Sequence, residues 1–214
     1  MTENTGVLKD SISFNLLKPS PLLVVISGPS GVGKDAVVKQ LLKRDPELHF
    51  VVTATSRPPR AGEKHGVDYF FVSKEAFEQM IAQDELMEYA NVYDQYKGVP
   101  KSQVREAMNS GQDVIMRLDV QGAQKIRSLC QDAILIFLAP TNKEEWYRRL
   151  ANRKTETEES LHLRLETVKE ELKYLSEFDY IVYNPENCLE EAVDKIQAII
   201  EVEHLRVQTR KITL

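Results

Sequence analysis

The stretch from residue 22 to residue 42 constrains the fold more than any other part of the sequence. Leu22 to Ile26 is a continuous apolar run rich in β-branched residues, which is typical of a parallel strand buried on both faces. Glycines follow at once, and apolar residues then recur at helical spacing from Ala36 to Leu42. A buried strand that turns directly into a helix is the building unit of an α/β fold.

The same alternation returns in the second half of the chain. Apolar runs predict strands over 114–118, 134–138 and 180–183, and helical spacing predicts helices over 121–129, 141–152 and 155–176. Thr141 and Glu144 form a capping box that marks the start of the second helix, and an apolar stripe from Leu189 to Ile200 predicts a closing helix. The pattern favours a three-layer α/β fold, in which helices cover both faces of a central parallel sheet.

Residues 50 to 100 interrupt this alternation and indicate an inserted, strand-rich subdomain. Strands are predicted over 50–54, 69–72 and 86–93, with a loop at 55–68 and a turn near Gly98. Ser73 is placed to cap a short helix whose apolar face includes Phe77 and Met80.

Composition excludes several classes of protein. The chain has 214 residues, enough for one domain with an insert. Its net charge of −5 argues against a general nucleic-acid binder, so any anionic ligand needs a local basic site. The longest apolar run is the seven residues 133–139, whereas a membrane span needs about 20, so no membrane partner is expected.

Cysteine usage and the first 20 residues bear on the compartment. Cys130 and Cys188 show no C-x-x-C spacing, which is typical of two reduced thiols in a reducing compartment. The first 20 residues lack a secretory apolar core and indicate a polar, flexible tail. We therefore expect a cytoplasmic protein.

The segment from Gly28 to Lys34 fits the phosphate-binding pattern G-x-x-x-x-G-K. Its glycines let backbone N–H groups turn toward an anion, Lys34 reaches the β- and γ-phosphates, and the following helix presents its positive end. The next residue is normally Ser or Thr, whose hydroxyl binds Mg²⁺, but here it is Asp35.

Two further segments carry clustered arginines. Arg57 and Arg60, held by the prolines between them, form a stiff fork suited to a phosphate monoester, and Tyr69 adds a hydroxyl. Arg149 and Arg153 lie four residues apart beside an acidic linker, which suggests a lid that closes over a transferring phosphoryl group. For each segment the alternative is a loop or helix face whose charges are merely solvated.

Together these segments resemble guanylate kinase from Leu22 to about Arg206. The resemblance rests on four stretches, and the second is the most specific: the phosphate loop 28–34, the monophosphate signature 55–72, the lid 153–160 and the closing strand 178–184. It implies transfer of the γ-phosphate of Mg-ATP to GMP and dGMP, giving ADP and GDP, by in-line phosphoryl transfer. ATP and GMP are then the partners and Mg²⁺ the cofactor.

The resemblance also implies a domain organisation. A P-loop kinase domain over 21–206 would have its core at 21–52 and 101–206, a GMP-binding subdomain at about 53–100 and a helical lid at about 149–165. The segments 1–20 and 207–214 would be tails.

Site residues follow from the resemblance position by position. The implied catalytic residues are Lys34, Arg149, Arg153 and Arg164. The implied ATP-binding residues are Gly28, Pro29, Ser30, Gly31, Val32, Gly33, Lys34, Asp35 and Asn184. The implied GMP-binding residues are Thr53, Arg57, Arg60, Tyr69, Glu88, Tyr96, Lys97 and Asp119. A carboxylate such as Glu88 suits guanine, because it accepts hydrogen bonds from N1–H and the N2 amino group.

Four positions depart from the family pattern. Lys97 replaces a phosphate-binding tyrosine, and Val99 replaces a guanine-side hydroxyl. Asp35 stands where a hydroxyl is usual, and Arg117 stands where an acidic residue is usual. We hypothesise that Asp35 takes over part of the Mg²⁺ site while Arg117 pairs with it. The alternative is that Asp35 merely starts the helix well and Asp119 organises the metal.

Two other interpretations of the function remain open at this point. A ribose 1,5-bisphosphate phosphokinase resembles the same family and can also carry Gly-Lys-Asp in its phosphate loop. A non-catalytic guanylate-kinase-like module that binds phosphopeptides is the second. The Asp35 loop is similar to those of cyanobacterial and plant-organelle members, so a chloroplast or mitochondrial form without its transit peptide is an alternative to the cytoplasm.

Overall fold

The central sheet lies in the middle of the molecule and has five parallel strands. The computed structural model describes residues 20–60, 62–92, 95–151 and 158–213. Within them the sheet has the strand order β2-β7-β1-β8-β9, so β1 is its central strand. Its strands are β1 Leu23–Ser27, β2 His49–Phe50, β7 Val114–Arg117, β8 Ile134–Ala139 and β9 Tyr180–Tyr183.

Residues of β1 alternate between two apolar cores, one on each face of the sheet. Val24 and Ile26 pack with α1 Lys34–Arg44 and α7 Leu189–His204. Leu23 and Val25 pack with α3 Lys101–Asn109 and α4 Val120–Leu129 on the other face. Burial on both faces explains the unbroken apolar run of this strand. The predicted fold class, α/β with a central parallel sheet between helices, is confirmed.

The insert forms a second, four-stranded sheet of order β4-β3-β6-β5. Its elements are β3 Ala54–Thr55, β4 Phe70–Phe71, α2 Lys74–Ala82, β5 Leu86–Val92 and β6 Gln95–Pro100. Ser73 caps α2 as predicted, since its Oγ accepts a hydrogen bond from the Ala76 N–H at 3.1 Å. Phe77 of this helix is fully buried beneath the small sheet.

The single strand predicted over 50–54 is wrong. β2 ends at Phe50 in the central sheet, whereas β3 begins at Ala54 in the small sheet. Between them the side chain of Gln103 accepts from the Val52 N–H at 3.0 Å and donates to the Val52 carbonyl at 2.6 Å. An amide side chain thus satisfies the backbone groups that a neighbouring strand would otherwise pair.

Two predicted boundaries are also wrong. Gly98 lies within β6, where a Cβ atom would meet the Glu88 carbonyl oxygen at 2.8 Å, so the glycine permits close strand packing rather than a turn. The connection between β5 and β6, at 93–94, lies outside the described residues. Helix α5 Lys143–Ala151 is capped by Asn142, not Thr141: the Asn142 Oδ1 accepts from the Glu145 N–H at 2.8 Å.

The remaining elements complete the chain. Helix α6 Glu158–Leu172 and a short 3₁₀ turn, Leu175–Glu177, lead into β9. Beyond α7 the side chain of Arg210 returns to bind Glu203, so part of the segment 207–213 lies against the core. Among the helices of the described ranges, none is long and apolar enough to cross a lipid bilayer.

Candidate active site

The glycines of the phosphate loop are required by close approaches of the chain. Gly28 and Gly33 have φ angles of 134° and 97°, a region that side chains rarely adopt. A Cβ atom at Gly28 would lie 2.1 Å from the Leu138 carbonyl oxygen, and one at Gly33 would lie 2.6 Å from the Asn184 amide nitrogen. The loop is therefore pressed between the ends of β8 and β9, directly before α1 begins at Lys34.

Lys34 folds back over this loop. Its Nζ donates to the carbonyl oxygens of Gly28 at 2.5 Å and Pro29 at 3.0 Å. Burial lowers the pKa of Lys34, while the negative charge of Glu171 acts in the opposite direction, followed by those of Asp35 and Asp119. Three carboxylates thus act on the Lys34 ammonium group, while the positive charge of Arg117 opposes them.

Asp35 and Arg117 form a direct ion pair across the ends of neighbouring elements. Arg117 ends β7, and it is paired in register with Ile26 of β1. Its guanidinium donates to the Asp35 carboxylate and also lies 5.9 Å from the centroid of the Phe50 ring. The expected pairing of these two unusual residues is confirmed.

A cleft of about 400 Å³ separates the central sheet from the insert. Six residues predicted to bind nucleotide line it together, although they come from distant parts of the chain: Lys34, Thr53, Tyr69, Glu88, Lys97 and Asp119. The cleft thus carries a carboxylate pair and several cations in one space. Such a surface fits a ligand that has both a hydrogen-bond donor edge and a phosphate.

Glu88 is the most strongly perturbed acid of the cleft. Its side chain is only 10% exposed, and burial raises its pKa to about 7. Lys125 opposes this shift, since its Nζ lies 3.8 Å from the Glu88 Oε2, whereas the Asp119 carboxylate adds to it. Asp119 is itself held in place as the N-cap of α4, with its Oδ1 accepting from the Gly122 N–H at 2.8 Å.

The arginine fork is tied down by a carboxylate from its own loop. Arg57 is 7% exposed and binds both oxygens of Glu63, at 2.6 and 2.7 Å. Its guanidinium lies 4.8 Å from the centroid of the Tyr69 ring, beside the cleft. Arg60 has an exposed side chain, and its backbone N–H donates to the same Glu63 carboxylate at 2.7 Å. Glu63 thus fixes the loop, and neither arginine lines the cleft itself.

Two residues that the resemblance places near the monophosphate lie outside the cleft lining. The ring of Tyr96 stacks on Phe77 with 5.1 Å between centroids, inside the insert rather than in the cleft lining. Val99 is 1% exposed, packs in the core with Met87 and Val104, and does not line the cleft. It is nevertheless paired directly opposite Glu88 across β5 and β6, so position 99 lies beside that carboxylate and its expected role stays a prediction.

A second cavity, of about 410 Å³, lies on the other side of the phosphate loop. Its lining includes Gly31, Gly33, Arg149 and Asn184, all predicted to serve ATP or the transferred phosphate. Arg149 donates to the carbonyls of Val32 at 3.3 Å and Asn184 at 2.8 Å, and it pairs with Glu145. The Asn184 amide donates to the Val32 carbonyl at 2.8 Å, so the loop is held from two elements.

The predicted lid is only partly described. Arg153 lies outside the described residues, and Arg164 lies within α6, but its side chain is not described. Among the described residues, Arg149 is therefore the one predicted lid arginine with side-chain contacts.

Three site residues escaped sequence reasoning: Glu63, Lys125 and Glu171. Glu63 carried a signal, because it belongs to the same loop as Arg57. Lys125 and Glu171 are ordinary charged residues on helices, and no local pattern sets them apart. Their proximity to Glu88 and Lys34 arises from the packing of separate elements.

Comparison with known proteins agrees with this geometry. The guanylate kinase family model matches residues 20–203. A rice protein, Guanylate kinase 2, chloroplastic/mitochondrial, is 48% identical over 197 residues, which cover 92% of this chain and 69% of that protein. The guanylate kinase of Halalkalibacterium halodurans is 44% identical over 189 residues, 88% of this chain and 92% of that one. The crystal structure of guanylate kinase from Anaplasma phagocytophilum superposes with a TM-score of 0.71 at 28% identity, covering 89% of this chain and 90% of that one.

Proposed function

The chain belongs to the guanylate kinase family, and from this membership we propose that it is an ATP:GMP phosphotransferase. The reaction moves the γ-phosphate of ATP to GMP, or to dGMP, and gives ADP and GDP. The observation that carries the proposal is the position of Lys34, which belongs to the phosphate loop and also lines the cleft that contains Glu88. One cation thus lies between the two nucleotide sites, where a phosphoryl group would transfer.

The cleft of Glu88 is the proposed GMP site. Glu88 and Asp119 present acceptors to the guanine edge, with Thr53 beside them. Tyr69 and Lys97 lie in the same lining, and the fork of Arg57 and Arg60 adjoins it through Tyr69, so the GMP phosphate would bind at that end. Tyr96 would contribute by supporting the insert from within.

The phosphate loop and the cavity of Asn184 are the proposed ATP site. Residues 28–33 would surround the β-phosphate, and Lys34 would contact the transferred group. Arg149 adjoins the loop and would act on the same group, joined by Arg153 and Arg164 when the lid closes.

The Asp35 carboxylate supplies an oxygen of the type that Mg²⁺ prefers, at the exposed start of α1. We infer that it would hold the ion together with nucleotide phosphates and water. When bound, Mg²⁺ would supply positive charge that neutralises the negative charge developing on the phosphates during transfer. Because Arg117 binds the same carboxylate, it would set how readily Asp35 accepts the ion.

The compartment is proposed from relatives alone. The rice relative is a chloroplastic/mitochondrial protein by name, and the Halalkalibacterium relative is bacterial. We propose that this chain acts either in a bacterial-type cytoplasm or in such an organelle.

A panel of acceptors with Mg-ATP, read as ADP release, tests the proposal. GMP and dGMP are expected to be phosphorylated, with AMP, CMP and UMP far poorer, because the loss of hydrogen bonds to a buried carboxylate costs about 1–3 kcal/mol or more. Ribose 1,5-bisphosphate and a phosphopeptide-binding assay form two further arms, both expected to be negative. The matched Lys34→Ala variant should lose phosphorylation. Comparable turnover of AMP by the unmodified protein would contradict the assignment.

A further inference from the structure

Lys125 connects the core of the molecule to the wall of the cleft. It belongs to α4, and its Nζ donates to the Tyr89 carbonyl of β5 at 2.5 Å. The same ammonium lies 3.8 Å from the Glu88 Oε2 and 5.9 Å from the centroid of the Tyr89 ring. A backbone carbonyl therefore fixes Lys125 beside the Glu88 carboxylate, although its side chain is 48% exposed.

Lys125 is the cation that offsets the burial of Glu88. Among the described residues, it is the one that forms an ion pair with Glu88. The Asp119 carboxylate, at the start of the same helix, acts on Glu88 in the opposite direction. The other ionisable groups of the cleft lining are Lys34, Tyr69, Lys97 and Arg117, and none of them forms an ion pair with Glu88 in the described part of the chain.

The protonation state of a carboxyl group decides which purine edge it complements. An ionised carboxylate only accepts hydrogen bonds, so it matches guanine, which donates from N1–H and from its N2 amino group. A protonated carboxyl group donates one hydrogen bond and accepts another. That pattern matches adenine, which accepts at N1 and donates from its N6 amino group.

We propose that Lys125 is a specificity-determining residue, which makes the cleft select guanine over adenine by keeping the neighbouring Glu88 carboxylate ionised. The inference rests on the proposed function and deepens it. Lys125 acts through Glu88 and needs no contact with the nucleotide. Because the pKa of Glu88 is about 7, the balance of its two protonation states lies within the physiological range. Loss of a nearby positive charge would shift this balance toward the protonated form.

Lys125→Met tests the proposal, because it keeps the length of the side chain and removes the charge. Calorimetric titration of GMP between pH 5.5 and pH 9 is the first measurement. The affinity of the unmodified protein should rise with pH through the titration of Glu88. In Lys125→Met the rise in GMP affinity should occur at higher pH. For each pH unit by which the rise moves, the variant should bind GMP about tenfold more weakly than the unmodified protein near pH 6.5. At pH 9 the two proteins should bind GMP alike.

The second measurement compares kcat/KM for AMP and GMP. The AMP-to-GMP ratio should increase in Lys125→Met at pH 6–7 and return toward the original value at pH 9. Lys125→Arg should preserve both the affinity profile and the selectivity. Lys173→Met is the matched control, because Lys173 pairs with Glu170 at 2.6 Å and lines neither of the two cavities that Glu88 borders.

Two outcomes overturn the inference. One is an unchanged pH profile in Lys125→Met; the other is a loss of GMP affinity that is equal at every pH, which would indicate a merely structural role. Failure of the proposed function is distinguishable, because the unmodified protein itself would then not bind GMP.

Discussion

Glu63 holds the arginine fork of the proposed monophosphate site in place. Its carboxylate binds the Arg57 guanidinium through both oxygens and also accepts the Arg60 backbone N–H. Side-chain hydrogen bonds from Arg57 lower the pKa of Glu63 to about 2, so the carboxylate stays ionised throughout the neutral range. Arg57 is therefore part of the loop's framework, whereas the side chain of Arg60 is exposed.

Removal of these two arginines should have different consequences. Arg60→Ala is expected to weaken GMP binding by about ten- to a hundredfold, the equivalent of one charge-assisted hydrogen bond of about 1.5–3 kcal/mol, and to leave ATP binding unchanged. Arg57→Ala should weaken GMP binding and also destabilise the loop, because Glu63 loses its partner. Calorimetric titrations of both nucleotides and proteolysis of the loop measure the two effects. Unchanged GMP affinity in both variants would contradict the position of the phosphate site.

The pair of Asp35 and Arg117 should behave as one unit. We expect Asp35→Ser and Arg117→Asp, made singly and together, to show a coupling free energy of at least about 0.5 kcal/mol in kcat across a Mg²⁺ titration, since each residue holds the other's charge. Calorimetric binding of ADP with and without Mg²⁺ gives a readout independent of turnover. Glu190→Gln, which removes a partner of Arg44 at the far end of α1, is the control. Strictly additive effects would show that the two residues act independently.

Helix α5 supports the phosphate loop from one side. The indole N–H of Trp146 donates to the Ser30 carbonyl at 2.8 Å, and Arg149, almost one turn later, donates to the Val32 carbonyl at 3.3 Å. Because both bonds reach loop carbonyls, α5 and the loop should move together. The residues that follow α5 in the sequence belong to the predicted lid, so α5 lies between the predicted lid and the proposed nucleotide site.

Substitution of an arginine in α5 and of one in the segment after it should have different effects on the kinetics. Arg153→Ala is expected to lower kcat far more than it raises the KM of either substrate, because a lid arginine acts on the transition state. Arginines of this kind contribute about 10³–10⁵-fold to phosphoryl transfer. Arg148→Ala is the matched control, since Arg148 is 64% exposed and pairs with Glu186 at 3.4 Å. Steady-state kinetics measure these effects. A decrease of kcat below about tenfold in Arg153→Ala would show that Arg153 is only a solvated surface charge.

The C-terminal segment is attached to the core by a buried charge cluster. Glu203 has a side chain that is 1% exposed and accepts from Arg210 at 2.7 Å and from the Tyr180 hydroxyl at 2.6 Å. Two residues further on, Ile212 packs against the apolar core on the α3 and α4 face. This attachment involves β9 and α7, so it stabilises the sheet as a whole.

Acid should release this attachment. Hydrogen bonds from Arg210 lower the pKa of Glu203 from 4.5 to about 2, so its contribution to stability is complete above pH 4.5 and is lost as the pH falls toward 2. The shift corresponds to a free energy on the order of 3 kcal/mol. Denaturant unfolding at pH 7 and pH 3 should show this loss in the unmodified protein and a smaller loss in Glu203→Gln.

Arg210→Met provides a second measurement at neutral pH. It leaves Glu203 buried with fewer partners and should cost about 3 kcal/mol of unfolding free energy. The double variant Glu203→Leu with Arg210→Met should recover part of that loss. A change below about 0.5 kcal/mol in Arg210→Met would show that the cluster contributes little to stability.

Local sequence patterns were sufficient for most strands of the central sheet and for most helices. The unbroken apolar run of β1 reflects burial on both faces, and the spacing of Gly28, Gly33 and Lys34 reflects backbone geometry within a few residues. Such features are visible in the local sequence, because a buried strand needs apolar residues and a turn with positive φ needs glycine at those positions. The pairing of Asp35 with Arg117 was predicted from the resemblance, because in the family's fold the strand that Arg117 ends lies beside the phosphate loop.

Other features had no local signal because they depend on contacts between distant residues. Val52 lies outside the central sheet, and the side chain of Gln103, 51 residues later, binds its backbone N–H and carbonyl. No pattern near Val52 predicts this contact. Val99 is buried with Met87 and Val104, although β6 pairs it directly opposite Glu88 of the cleft, and no pattern near Val99 predicts this burial. Lys125 reaches Glu88 only through the packing of α4 against β5. Each of these arrangements arises where two elements meet, and the sequence of either element alone is compatible with several partners.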